Sequence, residues 1–232
     1  MLRDTIVDTV AKDLDTKAIH ESYLRVANVN ATHLNIHDSD APGTNVEEHE
    51  VVGGTLTLGG SDQWALFSLD DFNENGDGWF ASTKDTPSAF SVAAKRQSCG
   101  VNGDKHLGGY CNFATVDVSK KYIDLPRHST VRITARVHFF DKWFGEYAYA
   151  KVDGQSVWQQ SHFFCAKPFS SMCRGIDTCG DSKYSDKMSQ KVSITLPHTA
   201  SELTVTFGAD LGDKSPCVAS WGVDDVMIEL KH

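Results

Sequence analysis

The chain has 232 residues, with 22 Lys and Arg against 31 Asp and Glu, a formal net charge of −9. That length can bury a sizeable core in one large domain, or in one domain with a small appendage. The negative balance argues against a general nucleic-acid or anionic-membrane binder, and no apolar run approaches the ~20 residues that cross a bilayer.

Residues 2–14 place Leu2, Ile6, Val10 and Leu14 at intervals of four, one stripe of a short amphipathic helix. The segment from Met1 to Asp8 is charged and carries no secretory h-region. Tyr23 to His37 reads as extended, with Leu34 and Ile36 on one face and His33, Asn35 and His37 on the other. Two histidines on one strand face can ligate zinc, but no third ligand is near, and a solvated face accounts for them. Asn30-Ala-Thr32 is a glycosylation sequon. A helix–strand pair of this size cannot bury its own core and must dock on the rest. Asp38-Ser-Asp-Ala-Pro42-Gly43 is the expected joint. The expected division is therefore a helix–strand segment over residues 1–44 and a β-sandwich over residues 45–232.

From Glu50 onward the pattern is β. Trp64–Leu69 and Trp79–Ser82 look extended and flank Asp71-Phe-Asn73-Glu-Asn75-Gly76-Asp77. Side-chain oxygens recur there at every second position and a glycine permits a sharp turn, as in the first half of an oxygen-ligated calcium loop. Ser82 stands where an EF-hand needs a bidentate Glu, so this is no EF-hand. Two readings stand: a calcium loop completed by ligands from elsewhere, or a hairpin turn in which Asn, Asp and Gly serve the backbone alone. Thr130 to Phe140 alternates cleanly, with Val131, Ile133, Ala135, Val137 and Phe139 on one face and Arg132, Thr134, Arg136 and His138 on the other. Tyr147–Val152 and Ser156–His162 flank Asp153-Gly154, the preferred two-residue hairpin turn. Val192–Leu196, Leu203–Phe207 and Val226–Leu230 complete the strands. Many short alternating strands predict a mainly β fold, an antiparallel jelly-roll sandwich.

The cysteines are Cys99, Cys111, Cys165, Cys173, Cys179 and Cys217. The even count predicts three disulfides, whereas the short Cys–Cys spacing usual at zinc sites is absent. Cys99–Cys111 is the expected local pair, with the other four pairing among themselves. Oxidised cysteines point to an extracellular or cell-surface setting, and a secreted chain without a signal peptide would be a piece of something longer.

Acidic clusters sit at strand ends: Asp70 and Asp71 with the loop above, Asp141 to Glu146, and Asp224 with Asp225. An Asp-Phe-Asn…Gly-Trp opening and a closing Trp221-Gly-Val-Asp224-Asp225-Val226 are similar to jelly-roll modules of the galactose-binding-like type, a frame shared by carbohydrate-binding modules and MAM-type adhesion domains. Phe139-Phe-Asp141-Lys-Trp143-Phe-Gly145-Glu146 also resembles an Asp-Ser-Trp-Asp-Gly-Glu motif in β modules of large surface proteins, from which Lys142 and Phe144 depart. The resemblance covers residues 65–232 in short motifs. It implies a structural Ca²⁺ where the first and last strands run side by side, held by Asp70, Asp71, Asn73, Asn75, Asp77 and Asp224 or Asp225. At Asp141 and Glu146 the departures favour a turn and an ordinary ion pair over a second metal.

Five tryptophans are core candidates, since buried indoles are the rule. Trp143 in a loop and Trp158, placed opposite the core, are the candidates for sugar-stacking platforms, with Tyr147 and Tyr149 on the adjacent strand. No nucleophile elbow, phosphate loop or zinc-protease motif is present. The leading expectation is a non-enzymatic, calcium-stabilised extracellular module that binds a glycan or glycoprotein. The alternatives are a structural subunit contacting neighbouring protein subunits, and a glycoside hydrolase working through Asp141 and Glu146.

Overall fold

The computed structural model describes Leu34–His37, Thr55–Leu58 and residues 61–83, 92–99, 103–165 and 176–232. The expected helix over residues 2–14, the sequon at Asn30, His33, the joint at Pro42-Gly43 and Cys173 lie outside them.

The described residues form strands and no helix. In chain order the first five are β1 (Leu34–His37), β2 (Thr55–Leu58), β3 (Ser61–Asp62), β4 (Ala65–Asp70) and β5 (Phe80–Thr83). Next come β6 (Val92–Ala93), β7 (Arg96–Ser98), β8 (Lys105–Gly108), β9 (Val116–Tyr122) and β10 (Thr130–Asp141). The last are β11 (Phe144–Val152), β12 (Gln155–Phe163), β13 (Lys187–Pro197), β14 (Leu203–Asp210) and β15 (Ala219–Lys231). They make a small sheet β1-β2-β3 and two six-stranded antiparallel sheets. One runs β13-β10-β15-β8-β7, with β4 also on β15; the other runs β12-β11-β14-β9-β5-β6. The fold is the antiparallel β-sandwich that the alternation predicts.

β10 illustrates why. Val131, Ile133, Ala135, Val137 and Phe139 all point to the core. They meet Val118, Ala148, Ala150, Val205 and Phe207 of the facing sheet in one hydrophobic cluster. Each buried Val, Ile or Phe side chain contributes about 1.5–3 kcal/mol. Trp79, Trp143 and Trp221 are the largest fully buried side chains. Trp79 packs edge-on to Phe72 with centroids 5.9 Å apart, and the Trp221 indole N–H donates to the Ala114 carbonyl at 2.9 Å.

The Asp153-Gly154 turn forms as expected, with positive φ at both residues (48° and 79°) and Val152 opposite Gln155. A second hydrogen-bond pair ties it to β14: the Asp153 N–H donates to the Thr204 carbonyl at 2.9 Å, and the Thr204 N–H to Asp153 Oδ1 at 2.8 Å. A histidine pair bears on the same turn. His128 Nε2 lies 2.7 Å from His198 Nδ1, and His198 Nε2 lies 3.2 Å from Asp153 Oδ2. Thus β11 and β12 are anchored to the ends of both sheets.

The disulfides differ from the expected pairing. Cys99 joins Cys179 and Cys111 joins Cys217, so Cys99–Cys111 does not form and the later cysteines do not pair only among themselves. The cause is topological. The turn after β8 is held against the segment before β15 by the Cys111 N–H donating to the Pro216 carbonyl at 3.0 Å, which puts Cys111 beside Cys217 rather than its sequence neighbour. Cys165 is also disulfide-bonded.

Candidate ligand-binding cleft

The outward face of the β12-β11-β14-β9-β5 sheet carries a cleft of about 530 Å³. Its floor is set by strand register. In one row Tyr149 of β11 stands opposite Gly208 of β14, which stands opposite Asp117 of β9, with Ser82 of β5 beyond. In the row above, Tyr147 faces Asp210; in the row below, Lys151 faces Thr206 and then Ser119. Gln159 and Ser156 of β12 close one side.

Gly208 makes the central row possible. A Cβ there would lie 2.6 Å from Tyr149 Cζ and 2.3 Å from Asp117 Oδ1. With hydrogen in its place, the phenol crosses β14 and donates to Asp117 Oδ1. Burial, and then the Asp117 carboxylate, push the Tyr149 phenol well above its ordinary value, so it stays a neutral donor. Lys151 Nζ lies 3.4 Å from Asp117 Oδ2 and 4.7 Å from the Tyr149 ring centroid. Both Asp117 oxygens are therefore engaged. The Tyr147 hydroxyl donates to Asp210 Oδ2 at 3.3 Å, and the two tyrosine rings are 6.2 Å apart at 51°. The Ser119 and Thr206 hydroxyls bond to each other at 2.8 Å. Aromatic faces ringed by carboxylate, amide and hydroxyl groups form a surface for a ligand with both apolar patches and many hydroxyls.

Of the four residues expected to bind ligand, Tyr147 and Tyr149 line this cleft, and Trp143 and Trp158 do not. Trp143 is fully buried, edge-on to Phe139 at 4.8 Å, with its indole N–H donating to the Ser220 carbonyl at 2.9 Å. Phe144 takes the exposed place beside it. Trp158 packs against the core. A bulge is the reason. Ala150 pairs with Trp158 but Lys151 with Ser156, so Val157 is an extra residue that puts Ser156 in the cleft and Trp158 inside. Asp117, Lys151, Asp210, Gly208 and Gln159 were not singled out in the sequence. For Asp117 the signal was available in Val116-Asp-Val-Ser-Lys-Lys-Tyr122, where Val118 and Tyr122 are buried and Asp117 and Ser119 face the opposite way.

β4 and β15 do run side by side, with Asp70 opposite Val226. Six of the seven expected calcium ligands, all but Asp77, have partners within the protein. Asp70 accepts from Lys120 Nζ at 2.7 Å and from the Tyr122 hydroxyl at 2.8 Å, bridging the two sheets. Asp71 Oδ1 accepts from the Asn73 N–H at 3.1 Å, Asn75 Oδ1 from the Asp77 N–H at 3.3 Å, and Asn73 Oδ1 from the Lys105 N–H at 3.0 Å. The Arg96 guanidinium donates to the Phe72 and Asn73 carbonyls at 2.7 and 3.2 Å, placing a protein cation on the loop. Asp224 pairs with Arg136 at 3.0 Å, and Asp225 pairs with the same arginine. Among the described residues no group of three or more His, Cys, Asp or Glu side chains is placed to hold a metal ion.

Asp141 and Glu146 sit in different surroundings. Glu146 bonds to Lys214, and that bond and the Phe144 N–H outweigh its partial burial and keep its carboxyl below the usual range. Asp141 is buried, with Oδ1 accepting from the Asp181 N–H at 2.8 Å, and burial pushes it up to about 6.

No family model and no curated protein matches the chain. Among solved structures it is similar to a xylan-binding-module and catalytic-module fragment of a Clostridium thermocellum xylanase complexed with xylohexaose, at TM-score 0.40 and 11% identity. That similarity covers 71% of this chain and 28% of that one. It is also similar to a xylan-binding domain from Paenibacillus barcinonensis (TM-score 0.37, 15% identity, 72% of this chain and 94% of that one). A mannan-recognising carbohydrate-binding module gives TM-score 0.38 and 14% identity over 73% of this chain and 99% of that one. Similarity at this level leaves function to be read from the cleft. Several of the solved structures that the chain is similar to are carbohydrate-binding modules.

Proposed function

We propose that the chain is a non-catalytic glycan-binding module of an extracellular or cell-surface protein, and that a saccharide, free or on a glycoprotein, binds in the Tyr147–Tyr149 cleft. The observation that carries this reading is the central row, where Tyr149 is fixed across Gly208 onto Asp117 with Tyr147 and Asp210 alongside. An aromatic ring takes the apolar face of a pyranose, and carboxylate, amide and hydroxyl groups around it take the sugar hydroxyls. The groups are pre-positioned by strand pairing, so little ordering is needed on binding. Disulfides support the extracellular setting. The test is a glycan array followed by calorimetry on the best binder. Tyr147→Ala is expected to weaken binding at least about tenfold, a loss of ~1.4 kcal/mol, with an unchanged far-UV spectrum. Binding that survives both Tyr147→Ala and Asp117→Ala at full strength would place the ligand elsewhere.

A further inference from the structure

Among the described residues the cleft holds three charged side chains, Asp117, Asp210 and Lys151, and they are not equivalent. Asp117 and Lys151 satisfy each other, and the lysine also lies over the Tyr149 ring. Among the described residues Asp210 has two long contacts, the Tyr147 hydroxyl at 3.3 Å and the Gly212 N–H at 3.4 Å. No Lys, Arg or His among the described residues makes an ion pair with it. Among the described residues, the mouth of the cleft thus carries one negative charge with no cation partner, beside the Tyr147 ring, on a chain whose net charge is −9. A carboxylate only accepts hydrogen bonds. Sugar hydroxyls can supply them; a uronate carboxylate or a sulfate ester cannot, and would be repelled. Among the described residues the one cation lining the cleft, Lys151, is held by Asp117 and is not free to compensate.

We infer that the cleft selects uncharged saccharides against uronic-acid-containing and sulfated ones, and that Asp210 enforces the selection. This rests on the glycan reading above and adds the class of glycan.

The probes are neutral polysaccharides (galactomannan, arabinoxylan, mixed-linkage glucan, galactan) and acidic ones (polygalacturonate, alginate, chondroitin sulfate). Affinity electrophoresis at low and high salt compares the wild type, Asp210→Lys, Tyr147→Ala and Glu74→Lys. The last makes the same charge change in an exposed loop that does not line the cleft. Retention of the wild type is expected with neutral polymers only. Asp210→Lys is expected to raise retention by acidic polymers about tenfold at low salt, as a rim charge does, while Glu74→Lys leaves it unchanged. Acidic polymers that retain the wild type as well as neutral ones, with Tyr147→Ala abolishing both, would overturn the selection and leave the glycan reading standing. Equal gains from Asp210→Lys and Glu74→Lys would also overturn it, because the effect would then be net charge alone. Retention by no polymer, neutral or acidic, would sink both.

Discussion

Gly208 is the residue on which the cleft turns, because its missing Cβ is the space through which Tyr149 reaches Asp117. Gly208→Ala forces the ring to lift, breaks the phenol–carboxylate bond and overpacks the row. Overpacking of this kind costs about 1–3 kcal/mol. The expected outcome is a lower urea midpoint together with weaker saccharide binding. Tyr149→Phe removes only the donor and keeps the ring, so it is expected to cost about 0.5–1.5 kcal/mol and to retain most binding. If the two variants bind alike, the rigid position of Tyr149 is irrelevant to recognition. At this scale the sequence was legible where parity was regular: Tyr147 and Tyr149 are two apart and share a face. It misled at Trp158, where a one-residue bulge reverses parity, and at Trp143, where a residue between two strands is drawn into the core. Gly208 itself gave no signal, because the need for a missing Cβ depends on a ring from the neighbouring strand.

Among the elements, the Asp71–Asp77 segment and the disulfide-bearing connections set the frame. The segment has the composition of a calcium loop, yet its oxygens serve its own turns and its carbonyls are capped by Arg96. Composition could not separate these cases, since both need Asp, Asn and Gly at alternate positions, and the arginine on the loop lies 24 residues away from Phe72. Arg96→Ala leaves the Phe72 carbonyl without its donor and is expected to cost about 1–3 kcal/mol. Melting curves of the wild type in EDTA and in excess calcium are expected to coincide, because an ion bound only by the native state would raise the midpoint. A rise in calcium that Asp71→Ala removes would show that the loop rearranges to bind the ion. The strands themselves were legible from their period, most clearly β10 and the hairpin β11–β12. The disulfide partners were not, because residues far apart in sequence are brought together by the sheet order, and cysteine spacing says nothing of that order.

For the whole molecule, burial of ionisable groups makes stability depend on pH in two opposing ways. His106, His138 and His162 are held down to about 4, about 3 and about 4, with burial the leading cause in each. His138 shows the neutral form directly: its Nδ1 accepts the Ser189 N–H at 3.0 Å. These histidines are neutral in the folded chain and cationic in the unfolded one between about pH 4 and the ordinary 6.5, so their contribution is lost as pH falls through that window. Asp224 moves the other way. Burial first, and then Asp225, push it up to about 7 from 3.8, against the pull of Arg136. A carboxyl raised in this way stabilises the fold fully below pH 3.8, and the benefit fades as pH rises towards about 7. Within that window the folded chain holds one proton on Asp224 that the unfolded chain has released. It therefore subtracts about 1.4 kcal/mol per pH unit from the rise of stability with pH. Asp224→Asn cannot titrate and removes that subtraction. Urea denaturation of the wild type and the variant between pH 4 and 6.5 should give a variant whose stability climbs more steeply with pH, by roughly 1.4 kcal/mol per unit. Parallel curves would mean that Arg136 keeps Asp224 charged throughout.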